Sequence, residues 1–517
     1  MNTHTVELTG ITGHVIEVQA HVSGGLPATI LVGLPDSRVR ETRDRVRAAM
    51  VNSKLGWPGR KITVGLSPAG LPKYGSGNDL AIAVAILAAW GRAPQTRDPA
   101  PHADDAPPMA VPPQAVFLAE LGLDGRLRPV RGVLPAAVAA AEAGFDLIVV
   151  AAASRDEAAL VPGVRVIAAD WLADVAAWLR GGPEPTAAEI TDSAEAEPGQ
   201  RGPKKDLADV VGCYGARRAL EVCAAGGHHL ALFGSGPSTT MLTERLSGIM
   251  PDLDLTAALE AAAVRSVAGE LPPGSRLITR PPYVAPHHTA TVPAIVGGGR
   301  NGRIWPGAVS LAHRGILLLG QAPEFHRDVL GAVGQTLGAG EALITRQAMI
   351  TRFPARFTLV LTADSCPCAN AEGDCDCSPA ARRRHQGRLP QQLLDRVHLR
   401  VTIPRPSRAR MQQDARSADN TAVVAERVAA ARDRAARRLA GTPWRANAEI
   451  PGVELRRSFA LQPAVLAIVE QAVSSGQLSS RGADGVIRVA WTLADLAGRP
   501  RPTANEAGEA LALRWTD

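Results

Sequence analysis

Beyond residue 205 this chain of 517 residues contains no lysine, and every strong cation that follows is arginine. Any site in that region that needs a compact ammonium group must do without one. Aromatic residues are also thin, at 3%, so aliphatic side chains are expected to close the cores. Cysteine is scarce, and four of the six fall between residues 366 and 377. That clustering argues for metal ligation in a reducing compartment, against a disulfide framework. Long apolar runs are missing as well. "LAIAVAILAAW", Leu80–Trp90, is the most apolar stretch and is too short to span a bilayer. The opening "MNTHTVELTGITGHVIEV" lacks the basic segment and apolar core of a signal peptide. A cytoplasmic protein without a membrane partner is expected.

What remains is globular in character, with 46% hydrophobic and 21% charged residues, and too long for one core. The formal charge of +6 is mild at this length; it permits nucleic-acid contact without arguing for it. Two segments read as linkers. Arg92–Gln114 is rich in proline, aspartate and alanine, and Gly181–Lys205 mixes Pro, Gly, Glu and Ser without periodicity. Before the second linker, "HVIEVQAHV", "ATILVGL" and "KITVGLSP" alternate like strands, and "DSRVRETRDRVRAAMVNS" and "DLAIAVAILAAW" read as helices. "AVFLAELGLDGRLRPV" holds two short strands around a turn. After the linker, "DVVGCYGARRALEVCAAG" reads as a helix, while "HHLALFG", "RGILLLGQ" and "RFTLVLTAD" read as buried strands. From Arg408 on, the pattern is mostly helical.

Two stretches carry chemistry. "LALFGSGPSTTMLTERL", Leu230–Leu246, reads as strand, glycine turn and helix, the layout with which backbone N–H groups and a helix N-terminus cradle phosphates. "DSCPCANAEGDCDCSP" supplies Cys366, Cys368, Cys375 and Cys377 in a C-x-C-x6-C-x-C array, and four thiolates from one short loop suit tetrahedral zinc. Cys213 and Cys223 lie in an apolar helical stretch and read as core.

"GGLPATILVGLPDSRVRETRDRVRAAMVNS", "ITVGLSPAGLPKYGSGNDLAIAVAIL", "APHHTATVPAIVGGG", "GAVSLAHRGILLL", "APEFHRDVL", "CPCA", "QLLDRVHLRV" and "LSSRGADGVIRVAWTLADLAG" occur in that order. Together they resemble magnesium-chelatase-like proteins of the ComM (YifB) type, from about Val6 to Gly498. The resemblance implies an α/β fold: a ribosomal-S5/Lon-protease-like domain over 1–180, a linker over 181–205, an AAA+ core over 206–405 and a helical lid over 406–505. It implies a hexameric ring, ATP with magnesium, and branch migration of DNA during natural transformation. It also strengthens the zinc reading.

Set against the family's G-P-P-G-x-G-K-T followed by M-L-A-E-R-L, the loop that contains Gly234 and Gly236 is one residue short. Thr240 falls on the magnesium-ligand threonine, Thr239 on the lysine and Ser238 on the last glycine. A lost charge-assisted contact costs about 1.5–3 kcal/mol, roughly one to two orders of magnitude in affinity. The family's Walker B Asp-Glu is replaced by Gly320 and Gln321. Glycine has no ligand for magnesium and an amide is no base. Asp364 and Ser365 replace Asn-Pro at the sensor strand. Arg396 matches the arginine finger and Arg481 the sensor-2 arginine.

The expectation is a non-hydrolysing DNA- or partner-binding subunit of a homo-oligomeric or mixed ring. The alternatives are an active DNA-dependent ATPase with an unconventional loop, or a decaying paralogue. In the first domain, Gly77 falls at the Lon-type nucleophile and Leu134 at its lysine, so Ser76 reads as an ordinary loop serine. His287 and His288 are adjacent and expected to point apart. "GGGRNGR", Gly297–Arg303, reads as a basic loop suited to phosphates in a ring channel or as a solvated hairpin tip. Arg382–Arg384, with His385 and Arg388, reads as a DNA-backbone or subunit-interface patch, or simply as solvated charge.

Overall fold

The computed structural model describes residues 1–91, 108–186 and 205–514, apart from positions 35, 74, 235–236, 273, 275, 301–302, 347–348, 365, 369–374, 404–406 and 417. Most of the two expected linkers lies outside the described residues.

The N-terminal region is built on a seven-stranded sheet. Its spatial order is Ala28–Val32, Lys61–Ser67, Thr12–Ser23, Asn2–Thr9, Ala115–Leu118, Leu147–Ala151, Arg165–Ala169. Thr9 pairs with Thr12, leaving Gly10 and Ile11 as a two-residue turn. Gly10 has φ 68, and a Cβ there would lie 2.3 Å from the Arg352 carbonyl oxygen. Only glycine meets both demands. Asp79–Trp90 packs on this sheet and against helix Asp36–Asn52. Ten successive residues, Asp79–Ala88, are buried, which is why the helix is apolar on every side. Its one buried carboxylate, Asp79, accepts bonds from Arg45 at 2.6 and 3.0 Å and from the Leu121 N–H at 3.2 Å. Burial outweighs these partners and raises its pKa to about 6.

The second sheet has five parallel strands: Tyr283–Val284, Ile316–Leu319, Thr358–Ala363, Leu230–Phe233 and Leu399–Thr402 in spatial order. Both faces are covered, so its strands are nearly uniform apolar runs. Two hairpins interrupt the αβ alternation, Gly297–Arg300 with Arg303–Pro306 and Glu341–Arg346 with Met349–Pro354. Helix Leu255–Ala268, capped by the Asp254 carboxylate on the Ala257 N–H (2.8 Å), joins the two sheets. Its Ala262 enters the N-terminal core, and its Ser266 carbonyl accepts the Gly132 N–H at 3.2 Å.

The C-terminal region is helical: Thr421–Arg438, Pro463–Ser474, Ser480–Leu496 and Ala504–Ala512. Val428, Val489 and Trp491 share one hydrophobic core with Leu220 and Leu230, so this bundle is welded to the second sheet. A buried polar knot reinforces the seam. Asp495 accepts Arg438 Nη2 at 2.6 Å and Asn447 Nδ2 at 2.8 Å, and Arg438 stacks on Trp491 at 4.6 Å. Replacing Asp495 with alanine leaves the half-buried Arg438 guanidinium without its carboxylate, which costs about 1–3 kcal/mol. Urea unfolding of Asp495→Ala is expected to show that loss; an unchanged midpoint would mean the knot is not a stabilising element.

Candidate functional site

The strand Leu230–Phe233 lies between Thr358–Ala363 and Leu399–Thr402 in the second sheet, and the helix Pro237–Ile249 follows it. Between them Gly234 donates to the Ala363 carbonyl at 3.0 Å, holding the turn against the neighbouring strand. Gly236 lies outside the described residues. Ser238 and Thr239 sit in the first turn of the helix; Thr239 is buried, and the next residue, Thr240, is exposed. No cationic side chain occupies positions 234–244.

Beyond the intervening strand Thr358–Ala363, the strand Ile316–Leu319 is followed by Gly320. A Cβ on Gly320 would meet nothing closer than Thr362 Oγ1 at 4.0 Å, so no steric demand excludes a carboxylate there. Gln321 adopts φ 53 and donates its N–H to Thr362 Oγ1 at 3.1 Å. Asp364, at the end of the third strand, has its carboxyl pushed up by burial and then by Glu324, against the pull of His385. Glu324 is paired with Arg388 at 2.9 Å, and His385 Nδ1 lies 4.0 Å from it.

The sequence groups His385 with the arginine patch, yet its ring is buried with neither nitrogen hydrogen-bonded, because helix Pro379–Gln386 turns that face inward. His287 and His288 do not point apart. Their rings lie 4.1 Å apart, since the chain turns there, with the Ala290 N–H on the His287 carbonyl at 2.9 Å.

Arg396 and Arg481 come together, but at the opposite end of the strands. They line a cavity of about 430 Å³ with His229, His398, Asp484 and Arg488. His229 immediately precedes the strand whose far end carries the phosphate turn. Within one chain the two arginines therefore face away from that turn. Gly338 makes room for Arg396, since a Cβ there would lie 2.6 Å from its guanidinium. Burial, and then the Arg481 charge, hold Arg396 below its ordinary range.

Behind the cavity sits a histidine cluster that the sequence did not reveal. Thr492 Oγ1 donates to the Arg488 carbonyl (3.1 Å) and accepts from Asn447 (3.0 Å). Toward His228 Nε2, at 2.7 Å, that oxygen therefore accepts, and His228 carries its proton on Nε2. Its Nδ1 then accepts from His398 Nδ1 at 3.1 Å. His229 Nδ1 accepts the Leu359 N–H at 3.1 Å. Burial lowers all three, His229 to about 4.

The four cluster cysteines gather as the spacing implied. Their sulfurs all lie within 4.8 Å of one another, and Cys366 is 2.8 Å from Cys368 and 3.1 Å from Cys375. A tetrahedral ion with Zn–S near ~2.3 Å would spread these sulfurs by up to about 1 Å. The donor set and its convergence fit such a metal. Cys213 and Cys223 are buried core residues, and Cys223 donates to the His228 carbonyl at 3.0 Å. In the first sheet, Leu134 is fully buried and Ser76 donates to Glu120. Lys73 Nζ is spent on the Pro68 and Leu71 carbonyls at 2.6 and 3.0 Å.

A central parallel sheet with a strand–glycine–helix turn at one end, an arginine pair at the other and a helical C-terminal bundle defines an AAA+-type protein on the magnesium-chelatase plan. The model "Magnesium chelatase, subunit ChlI" matches residues 206–411, "Subunit ChlI of Mg-chelatase" 18–154, and "Magnesium chelatase, subunit ChlI C-terminal" 418–514. The chain is 45% identical to Rv2897c of Mycobacterium tuberculosis, covering 99% of this chain and 98% of that one. It is 35% identical to YifB of Escherichia coli (99% and 97%) and 36% identical to competence protein ComM of Haemophilus influenzae (98% and 95%). The chain belongs to the magnesium-chelatase-like family of ComM and YifB. No helix among the described residues is long and apolar enough to cross a membrane.

Elemental analysis is expected to find about one zinc per chain, lost in Cys366→Ala; a metal-free protein with four titratable thiols would refute the centre. The histidines titrate near 6.5 when unfolded, whereas His229 folds with a value near 4. The unfolded chain thus binds more protons across that window, and stability falls as pH drops through it. The urea midpoint of His229→Gln is expected to fall less steeply between those values than that of the parent, and equal slopes would count against the assignment.

Proposed function

We propose that the chain is a ring subunit that engages DNA without turning over ATP itself, assembled with its own copies or with a competent relative. One observation carries this reading: the phosphate turn has Thr239 where a triphosphate needs a cation, and the facing strand ends in Gly320 and Gln321. A hydroxyl and an amide neither neutralise a γ-phosphate nor bind magnesium as an anion does. Open space at Gly320 means that the acid is absent by residue identity alone.

The arginine pair supports the ring. Arg396 and Arg481 project at the strand ends remote from the turn, where a neighbour's phosphates are the natural ligand. In a mixed ring this subunit would contribute those arginines to a site completed by its neighbour. The name of the Haemophilus relative, competence protein ComM, places that protein in competence. We extend a role in DNA recombination to this chain on the strength of full-length likeness. Zinc in the Cys366–Cys377 loop would brace the segment between the sensor strand and helix Pro379–Gln386 and takes no part in chemistry.

The test is ATP turnover by purified chain with and without branched DNA, against an Arg396→Ala control, together with DNA affinity at several salt concentrations. Turnover at the level of the control, with DNA binding that weakens steeply with salt, is the expected pattern. DNA-stimulated turnover above the control overturns the non-hydrolysing role; absence of both activities points to decay.

A further inference from the structure

An open sheet has edges, and the backbone N–H and C=O groups left unpaired there invite another strand. In the two large sheets three of the four edges are closed. Arg165–Ala169 is mostly buried, and Arg165 at its start is paired with Glu184. Leu399–Thr402 is covered by the end of helix Ala504–Ala512, where the Leu513 carbonyl accepts the Arg400 N–H at 2.9 Å. Tyr283–Val284 is only two residues long. The fourth edge, Ala28–Val32, is different. It pairs with Lys61–Ser67 alone, and among the described residues no hydrogen bond reaches the outward side of its backbone.

Local sequence leaves this edge unguarded. From Val22 to Pro35 the chain carries no ionisable side chain, so neither a lysine nor an inward-pointing charge discourages pairing, and no proline interrupts the strand. Alternation puts Ala28, Ile30 and Val32 on one face. All three are exposed, while Leu31 on the other face enters the core. Leu26, just before the strand, is 88% exposed, the highest value of any large hydrophobic residue described. At the far end Gly33 has φ 92, and a Cβ there would lie 2.4 Å from the Leu66 carbonyl oxygen. The strand is thus held tightly on its inner side and open on its outer one.

We infer that this edge pairs antiparallel with the same edge of a second copy of the chain, about a two-fold axis, joining two N-terminal sheets into one. The strand is self-complementary in that arrangement. Centred pairing sets Ile30 opposite Ile30 of the copy and Ala28 opposite Val32, so a small side chain meets a branched one along a shared apolar strip. Leu26 of each copy comes toward Leu34 of the other. No like charges meet, because the segment has none. A partner surface of mixed charge would find nothing here to complement it. The contact uses the same patch on both copies and therefore closes at two. A cyclic ring contains no two-fold of this kind, so the pairing joins two rings or two free chains. It stands apart from the nucleotide and DNA readings above.

Sedimentation velocity of the full chain over a wide range of concentration tests the pairing. As concentration rises, the parent is expected to shift to a species of twice the starting mass and no further. Only the ratio is read, so the starting species can be a single chain or a ring. Ile30→Lys sets two like charges face to face, which is destabilising, and the doubling is lost; Ile30→Glu loses it likewise. An equimolar mixture of these two variants regains it, which misfolded chains would not do. Val51→Lys, at another exposed apolar site of the same region, leaves the doubling in place. A parent that never doubles, a doubling that persists in Ile30→Lys, or a mixture that fails to regain it overturns the inference. Growth beyond twice the starting mass overturns the two-fold closure. Pairing that appears only when another protein or a nucleic acid is added assigns the edge to that ligand and overturns it as well.

Discussion

A triphosphate brings several negative charges to one end of a parallel sheet, and something positive must meet them there. Backbone N–H groups and a helix N-terminus contribute partial charge; they do not replace an ammonium group and a magnesium ion held by carboxylates. Here the helix Pro237–Ile249 is in place and the turn at Gly234 is pinned to the neighbouring strand. On the reading proposed above, this is the frame of a phosphate site without its charges. The acids that do gather nearby, Asp364 and Glu324, add negative charge, and Glu324 is already engaged by Arg388.

The opposite end of the same strands shows the reverse imbalance. Arg396, Arg481 and Arg488 surround a cavity with one carboxylate, Asp484, for company, and that carboxylate also pairs with Arg456 at 2.7 Å. Strand direction thus separates a cation-poor end from a cation-rich one across about four residues of sheet, roughly 13 Å. Such polarity is of little use to an isolated chain. In the ring proposed above, one subunit's strand ends would meet the next subunit's turn, and the polarity would become a division of labour. The helical bundle keeps that geometry rigid: Ser480–Leu496 carries Arg481 at its start and Thr492 and Asp495, which anchor the buried polar seam, further along.

Much of this was legible in the sequence. "HHLALFG", "RGILLLGQ" and "RFTLVLTAD" are short apolar runs bounded by polar or glycine residues, and all three became buried parallel strands. The C-x-C-x6-C-x-C spacing announced its own convergence, because all four ligands come from one loop. What escaped depends on distant pairing. The hairpin Glu341–Arg346 with Met349–Pro354 is a mixed sequence with no strict alternation of polarity. His228 takes its proton arrangement from Thr492, 264 residues away. The burial of His385 depends on how helix Pro379–Gln386 settles on the end of the sheet, and no local signal in "ARRRHQG" indicates it. That Arg396 and Arg481 meet each other, away from the phosphate turn, is likewise a property of the assembled sheet and bundle.

The central claim is electrostatic, and titration calorimetry of ATP into zinc-replete chain, with and without magnesium, addresses it most directly. The account predicts weak binding that magnesium leaves unimproved, since neither Gly320 nor Gln321 offers it an anionic ligand. Tight binding that strengthens on adding magnesium would contradict it, and would require a cation at the phosphate turn that the described structure does not place there.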